Sequence, residues 1–353
     1  MSSDEKNLMW IEKYRPHELS DLLSHTEIIS TIQRLIDGRR LPHLLFYGPP
    51  GTGKTSTVLA IAKQIFGNNL SHNVLELNAS DDRGIQVIRQ EIKDFASTRG
   101  LKFFSATTQK QQDTPDIKLI ILDEADQLTK DAQAALRRTI EKYSKNVRFC
   151  LICNYVNKII PALQSRCTRF RFTPLKKHEV VSRLEQICNA EHVVFNQLGL
   201  EAIFKLSNGD MRKCVNILQS TYMSFGQITE DNVHMCTGNP LKSDIREIVN
   251  AMFNDGLHDA YKRITGIKTD RGLALQDIIR EVFQYVMRLN IPMPVRIYLL
   301  EQMSDIEYRL SFGTSESLQT MALISAFQVA KEPVSTKDEK AALELLNQDQ
   351  YCL

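Results

Sequence analysis

The sequence predicts an α/β domain, with helices on both faces of a parallel sheet, followed by two helical parts. Short apolar strands alternate with longer amphipathic segments from residue 41 to about residue 174, which is the pattern of a parallel sheet with crossover helices. After Pro174 the strand pattern ends and helical periodicity takes over. The predicted strands are Leu44–Tyr47, Val74–Leu77, Leu119–Leu122, Phe149–Cys153 and Phe170–Phe172.

The chain is long enough for several domains. Its 353 residues exceed what one ordinary hydrophobic core supports, and we expect three parts: 1–173, 174–238 and 239–353. The middle part is predicted as helices at 176–190, 198–206, 210–225 and 229–236, with Asp210 as an N-cap. The last part is predicted to be all helical. The polar segments Ser105–Asp116 and Lys331–Leu353 are predicted to be a surface insertion and a loosely ordered tail.

Composition excludes several classes of protein. Lys and Arg number 44 and Asp and Glu 42, so any nucleic-acid contact must come from a local patch. Seven scattered cysteines without a signal peptide indicate reduced thiols inside the cell. Cys150 and Cys153 form a CxxC, but on a strand they should face opposite sides, which disfavours zinc or redox chemistry. No apolar run reaches the length of a membrane span.

A phosphate-binding loop follows the first predicted strand. The run from Gly48 to Thr55, Gly-Pro-Pro-Gly-Thr-Gly-Lys-Thr, matches G-x-x-x-x-G-K-[ST], and helical sequence at Ser56–Phe66 comes directly after it. Glycines let backbone N–H groups approach phosphates, Lys54 would reach the β- and γ-phosphates, and the Thr55 hydroxyl would ligate Mg²⁺. The sequence therefore predicts ATP and Mg²⁺ as ligands. The loop residues are Gly48, Pro49, Pro50, Gly51, Thr52, Gly53, Lys54, Thr55 and Ser56.

A second acidic motif ends the strand Leu119–Leu122. Asp123 is the natural Mg²⁺ partner beside the phosphates, and Glu124 is placed to polarise an attacking water as general base. Asp126, by contrast, is expected to cap the helix that follows.

Three polar residues have both a functional and a structural interpretation. Asn154 ends the Phe149–Cys153 strand, where parallel sheets present ligand-facing groups, but strand-end Asn is also a common turn residue. Arg212 lies in the first turn of a helix, where a cation opposes the dipole, so it senses an anion or is a surface residue. Arg166 follows a short helix containing Pro161. It is either a surface charge or a finger that reaches a neighbouring subunit's phosphates.

Basic residues recur between the second and third predicted strands. Arg89 and Lys93 share a helix face by their i,i+4 spacing. With Arg83 they form either a solvated surface or a DNA-binding face. Because no base-reading motif is present, such a face would contact backbone phosphates.

These motifs together resemble the small subunits of replication factor C, the AAA+ sliding-clamp loader. The resemblance extends from Trp10 to about Ala330. Within that family, this sequence is most similar to one of the small subunits. Besides the two nucleotide-binding motifs, the segments that match the family are Trp10–Pro16, Leu77–Gly84, Phe95–Arg99, Phe149–Asn154, Ser165–Cys167, Gly209–Arg212 and Thr237–Ser243.

The resemblance implies roles for individual residues. It places Ile11, Tyr14 and Arg15 near the adenine and adds Leu23 to the ATP-binding residues. It makes Asn154 and Arg212 γ-phosphate sensors and Arg166 a finger acting in trans. It also implies that Asn78 is a switch that restrains Glu124 until DNA is bound.

The resemblance also implies an architecture and partners. Residues 1–173 would be the AAA+ nucleotide-binding domain, 174–238 a helical lid, and 239–353 a helical collar that joins one large and four small subunits into a ring. ATP binding would let the ring open and hold the sliding clamp PCNA on primer–template DNA in the nucleus, and hydrolysis would then release the loader. Two rival hypotheses stay open: a structural subunit that binds ATP without hydrolysing it, and a helicase-type AAA+ motor.

Overall fold

The computed structural model describes residues 9–16, 18–21, 24–38, 40–79, 85–97 and 117–335. The strands are β1 (Leu44–Tyr47), β2 (Val74–Asn78), β3 (Lys118–Asp123), β4 (Val147–Cys153), β5 (Thr168–Arg171), β6 (Val194–Phe195) and β7 (Gln227–Ile228). The helices up to residue 190 are α1 (Trp10–Lys13), α2 (Thr26–Asp37), α3 (Lys54–Phe66), α4 (Leu70–Asn73), α5 (Ile85–Ser97), α6 (Lys130–Tyr143), α7 (Pro161–Gln164) and α8 (Lys177–Ala190). Those that follow are α9 (Gln197–Ser207), α10 (Met211–Phe225), α11 (Glu230–Thr237), α12 (Lys242–Asn254), α13 (Leu257–Arg271), α14 (Leu275–Arg288), α15 (Met293–Ser311) and α16 (Glu316–Ser335).

A five-stranded parallel sheet forms the centre of the first part of the chain. Its strand order is β2-β3-β4-β1-β5, and the predicted α/β class with helices on both faces is confirmed. Strand β3 is buried along its apolar run, as expected where helices cover both faces. All five predicted strands are present; β1 has the predicted bounds, and the ends of the other four differ from the prediction by at most two residues.

Side chains that alternate along each strand divide the core into two layers. Leu119 and Ile121 pack with α2 and α3 on one face, whereas Ile120 and Leu122 pack with α5 and α6 on the other. Cys150 belongs to the first layer and Cys153 to the second. The prediction that the two thiols face opposite sides is therefore confirmed.

Helices α8, α9 and α10 form a small core of their own after the sheet. The predicted N-cap is present, because Asp210 Oδ1 accepts a hydrogen bond from Arg212 N at 2.9 Å and from Lys213 N at 3.3 Å. Val180, Leu184 and Leu218 are among its buried side chains.

The chain divides into two compact units between Gly226 and Gln227. The second is all helical over its described length apart from β7, and its core includes Ile278, Val295 and Phe327. Helix α16 continues to Ser335, so the expectation of loose order from Lys331 is wrong for the first five residues of that tail. Residues 336–353 and the predicted insertion at 105–116 lie outside the described residues. The predicted boundaries at 173/174 and 238/239 stay predictions.

Among the described helices, none combines the length and apolar character that a membrane span requires.

A half-buried histidine lies directly before strand β1. His43 Nδ1 accepts a hydrogen bond from Phe149 N at 3.1 Å, and its carbonyl accepts one from Thr168 N at 2.8 Å. Burial, reinforced by Arg148, lowers the pKa of His43 from 6.5 to about 4, because charging the ring is disfavoured there and protonating Nδ1 removes its acceptor.

We expect the depressed pKa of His43 to make the fold sensitive to acid. Between pH 6.5 and about 4 the unfolded chain binds the proton and the folded chain does not. The stabilising contribution of neutral His43 to the free energy of unfolding is therefore complete above pH 6.5. It is lost as the pH falls through this window. Thermal unfolding midpoints measured across this range should fall more steeply for the wild type than for His43→Asn. The matched control is His178→Asn, at an exposed histidine. Parallel curves for the wild type and His43→Asn would contradict the argument.

Candidate nucleotide-binding site

The phosphate loop connects β1 to α3 and is folded around the side chain of Lys54. Lys54 Nζ donates to the carbonyls of Gly48 and Pro49, at 2.8 Å each, and to Asn154 Oδ1 at 3.0 Å. Only 7% of Lys54 is exposed. Burial lowers the pKa of its ammonium group, and the Asp123 carboxylate opposes that change. The loop carbonyls and Asn154 thus fix the position of the Lys54 ammonium group.

Two glycines of the loop have no room for a side chain. Gly48 has φ 146°, and a Cβ there would lie 2.0 Å from the carbonyl oxygen of Phe172. Gly51 has φ 66°, and a Cβ there would lie 1.6 Å from Asp210 Oδ1. Both positions therefore require glycine for conformational and steric reasons.

Asp123 connects the end of β3 to the first turn of α3. Its Oδ2 accepts from Thr55 Oγ1 at 2.9 Å, and its Oδ1 accepts from Glu124 N at 2.8 Å. A hydroxyl and a carboxylate at this separation are the oxygen donors that Mg²⁺ prefers, with water and phosphate oxygens completing the shell. The residues present fit a magnesium ion, which Thr55 and Asp123 would hold.

Glu124 has a left-handed backbone, with φ 53° and ψ 36°. This conformation costs a non-glycine residue on the order of 1–3 kcal/mol, and such residues cluster at functional sites. The turn places Glu124 on the wall of the same cleft as Asp123 and Lys54.

The expectation for Asp126 is wrong. The N-cap of α6 is Thr129, whose side chain accepts from Ala132 N at 3.4 Å. A 3₁₀ turn at Ala125–Gln127 moves the helix start to Lys130. Asp126 is buried instead, and its Oδ2 accepts from the backbone N of Tyr155 at 3.3 Å. This links the acidic turn to the residue that follows Asn154.

The lid approaches the phosphate loop at the N-terminus of α10. Met211 N donates to Gly51 O at 3.2 Å, next to the close approach of Asp210 to Gly51. Arg212, one residue further, is exposed and lines the cleft. The structure thus brings Arg212 to the same cavity as Lys54.

The N-terminal segment forms another part of the cleft wall. Ile11, Tyr14 and Arg15 all line it, as the predicted adenine contacts should. Leu23, another predicted ATP-binding residue, lies outside the described residues.

The cleft enclosed by these groups has a volume of about 490 Å³, within the usual range for small-molecule sites. It brings together the loop from Pro50 to Ser56, Asp123, Glu124, Asn154 and Arg212. Sequence reasoning missed its lid-side wall. The residues of this wall that were missed include Val180, Arg183, Ile187 and Val215. The apolar face of the predicted lid helices was the sequence signal that could have indicated them.

Arg166 lies apart from the cleft wall, on the turn after α7. Its guanidinium donates to Ala162 O at 2.6 Å and pairs with Glu141, which Arg137 also contacts at 3.2 Å. An exposed Arg placed away from its own chain's cleft is compatible with both the surface and the finger interpretation.

The predicted switch residue Asn78 ends β2 beside the acidic motif. In the sheet register it is the partner of Asp123, and its side chain is exposed.

The predicted DNA-binding residues are only partly described. Arg89 and Lys93 both belong to α5, and Lys93 is exposed. Arg83 lies outside the described residues.

Comparison with known families gives three matches in chain order. Residues 44–175 match the ATPase family associated with various cellular activities (AAA), and residues 182–223 match the RCF1/5-like AAA+ ATPase lid domain. Residues 240–326 match the replication factor C C-terminal domain.

Solved structures of a bacterial motor share the fold. The Thermotoga maritima RuvB Holliday junction branch migration motor aligns with 77% of this chain and 91% of its own, at 16% identity and a TM-score of 0.50. A mutant form of it gives 0.51 at the same identity. At this identity the likeness shows the AAA+ fold alone.

Much more similar relatives span nearly the whole chain. Human replication factor C subunit 5 is 56% identical over 93% of both chains. Rice subunit 3 is 54% identical over 91% of this chain and 87% of its own. Subunit 3 of the fission yeast Schizosaccharomyces pombe is 48% identical over 92% of each. The chain therefore belongs to the replication factor C family of AAA+ ATPase subunits.

Proposed function

We propose that this protein hydrolyses ATP as one small subunit of a hetero-oligomeric clamp loader, together with one large and three other small subunits. The ring uses ATP to load the sliding clamp PCNA onto primer–template DNA in the nucleus. The observation that carries the proposal is the shared cleft of Lys54, Thr55, Asp123, Glu124 and Asn154, in a chain whose relatives are replication factor C subunits.

The arrangement supports binding of a triphosphate with its metal. Lys54 and the α3 N-terminus would hold the phosphates, while Thr55 and Asp123 would hold Mg²⁺. When bound, the ion neutralises phosphate charge and orients the γ-phosphoryl group. Lys54 would exchange its bonds to Gly48 and Pro49 for stronger, charge-assisted bonds to phosphate oxygens.

The same arrangement supports hydrolysis. Glu124 would accept a proton from the attacking water, and Asn154 and Arg212 would contact the γ-phosphate. Asn78, the register partner of Asp123 at the end of the neighbouring strand, would restrain Glu124 as a DNA-dependent switch. The intact acidic pair favours this function over a subunit that binds ATP without turnover.

The first test separates binding from hydrolysis. Glu124→Gln removes the general base while keeping size and polarity, so ATP affinity should be retained and turnover at this site should fall about 10²–10⁴-fold. Lys54→Ala should instead abolish ATP binding. Nucleotide affinity and ATPase rate are measured in the assembled complex with the other sites disabled. The matched control is Asp131→Asn, at an exposed residue in the first turn of α6. Unaltered turnover in Glu124→Gln would show a structural role for Glu124.

The second test concerns the subunit interface. If Arg166 is a finger, Arg166→Ala should leave this subunit's own ATP affinity unchanged. Hydrolysis at the adjacent subunit's site should slow by about 10³–10⁵-fold, the range for arginine fingers in other P-loop enzymes. Arg169→Ala, at an exposed arginine on β5, is the control. Loss of turnover at its own site, with the neighbour unaffected, would disprove the trans role.

The third test concerns DNA. Reversing the charges of Arg83, Arg89 and Lys93 together should weaken DNA binding regardless of sequence. The slope of log K against log salt should become shallower by about 0.9 for every duplex phosphate that the variant no longer neutralises. Arg34 and Lys63 are exposed basic residues on α2 and α3, which cover the other face of the sheet, and their reversal should leave the slope unchanged. If both sets of variants have the wild-type slope, the α5 face does not bind DNA.

A further inference from the structure

The N-terminal segment, residues 9–16, is held by the lid. Trp10 N donates to Gln219 Oε1 at 3.1 Å, and the Trp10 ring stacks on Tyr222 with centroids 5.6 Å apart. Arg183 Nη2 donates to the backbone carbonyl of Tyr14 at 3.3 Å. A wall of the nucleotide cleft is therefore fixed to α8 and α10 by side-chain contacts.

Two further contacts of this segment converge on a single carboxylate oxygen. Glu191 follows the last residue of α8, and its Oε1 accepts from both Lys13 Nζ and Tyr14 OH, at 2.5 Å each. The side chains of Lys13 and Glu191 are only 22% and 19% exposed. Partial burial strengthens such charge-assisted bonds relative to fully exposed pairs.

The ionisation of the two partners is consistent with this geometry. Burial, followed by the bond to Glu191, raises the pKa of Tyr14. Burial raises the pKa of Glu191, but the bonds from Lys13 and Tyr14 outweigh it, and the pKa lies below its ordinary value. The Tyr14 phenol is thus a stable donor and the Glu191 carboxylate a stable acceptor at neutral pH.

Glu191 and Tyr14 differ in their relation to the cleft. Tyr14 is part of the cleft lining together with Ile11 and Arg15, whereas Glu191 is not among the lining residues. Glu191 can therefore influence a bound nucleotide only through the residues that it holds.

We propose that Glu191 is a positioning residue for nucleotide binding, which holds Lys13 and Tyr14 so that the N-terminal segment keeps the cleft closed over the nucleotide and slows its release. The proposal rests on the proposed function of the cleft as the ATP site. It assigns the lid two separate roles: Arg212 faces the phosphate end, and Glu191 acts at the end covered by the N-terminal segment.

The experiment measures release of a fluorescent ADP analogue from this subunit, in the assembled complex with the other sites disabled. Glu191→Ala removes both bonds, and release should become about tenfold faster, which corresponds to about 1.4 kcal/mol. Because the chemical groups are untouched, the turnover number at saturating ATP should not fall, while the KM for ATP should rise. Glu191→Gln keeps an acceptor for Tyr14 but loses the charge that pairs with Lys13, so its release rate should be intermediate.

A matched control exists in the same lid. Glu201 pairs with Lys177 across α8 and α9 at 2.8 Å, on the exposed surface. Glu201→Ala should leave the release rate unchanged. Tyr14→Phe should accelerate release, and combining it with Glu191→Ala should give less than the product of the two single effects, because both remove the same bond.

The outcomes separate this proposal from the proposed function. If Lys54→Ala abolishes nucleotide binding, the cleft is the ATP site. If, in addition, both Glu191 variants release nucleotide at the same rate as the wild type and Glu201→Ala, the positioning role proposed for Glu191 is wrong. If Glu191→Ala lowers the turnover number at saturating ATP and conservative Glu191→Gln fails to restore it, Glu191 is a general structural residue of the lid. If Lys54→Ala binds nucleotide normally, the proposed function itself fails.

Discussion

The site depends on one constraint of the sheet: parallel strands present their carboxyl ends at the same edge. With the order β2-β3-β4-β1-β5, the loop after β1 meets the groups that end β3 and β4. This is why Thr55 and Asp123, 68 residues apart, come within hydrogen-bond distance, and why Lys54 reaches Asn154. Helices on both faces shield the strands from solvent and fix the positions of their ends. The polar groups at that edge are therefore held by a rigid scaffold.

The polar side chains of the site are hydrogen-bonded within the protein. Lys54, Asp123 and Asn154 each have a partner within the protein. If the cleft binds a nucleotide as proposed, these bonds would be exchanged, and the gain would come from replacing neutral carbonyl acceptors with charged phosphate oxygens.

The sequence was sufficient for the sheet, the phosphate loop and the cap at Asp210, because each depends on local pattern: apolar runs, glycine spacing and a single side chain at a helix start. The prediction for Asp126 was wrong because a 3₁₀ turn precedes α6 and moves the helix start to Lys130. Residue propensities do not distinguish a helix that starts after Asp126 from one that starts at Lys130. Sequence reasoning also missed Arg183 and Glu191. Both act on Tyr14, about 170 residues earlier in the chain, and such long-range partners are set by how the lid packs rather than by spacing.

The contact between Gly51 and Asp210 has a mechanical consequence. Because a Cβ at Gly51 would overlap Asp210, and Met211 N is bonded to Gly51 O, the start of α10 is held against the loop that would hold the phosphates. The helix has 15 residues, or about 22 Å at the usual rise, so a tilt of roughly 10° at its start would displace its far end by about 4 Å. If loss of a γ-phosphate tilted α10 about its contact with the loop, the displacement would be largest at Phe225, where the chain leaves the first unit.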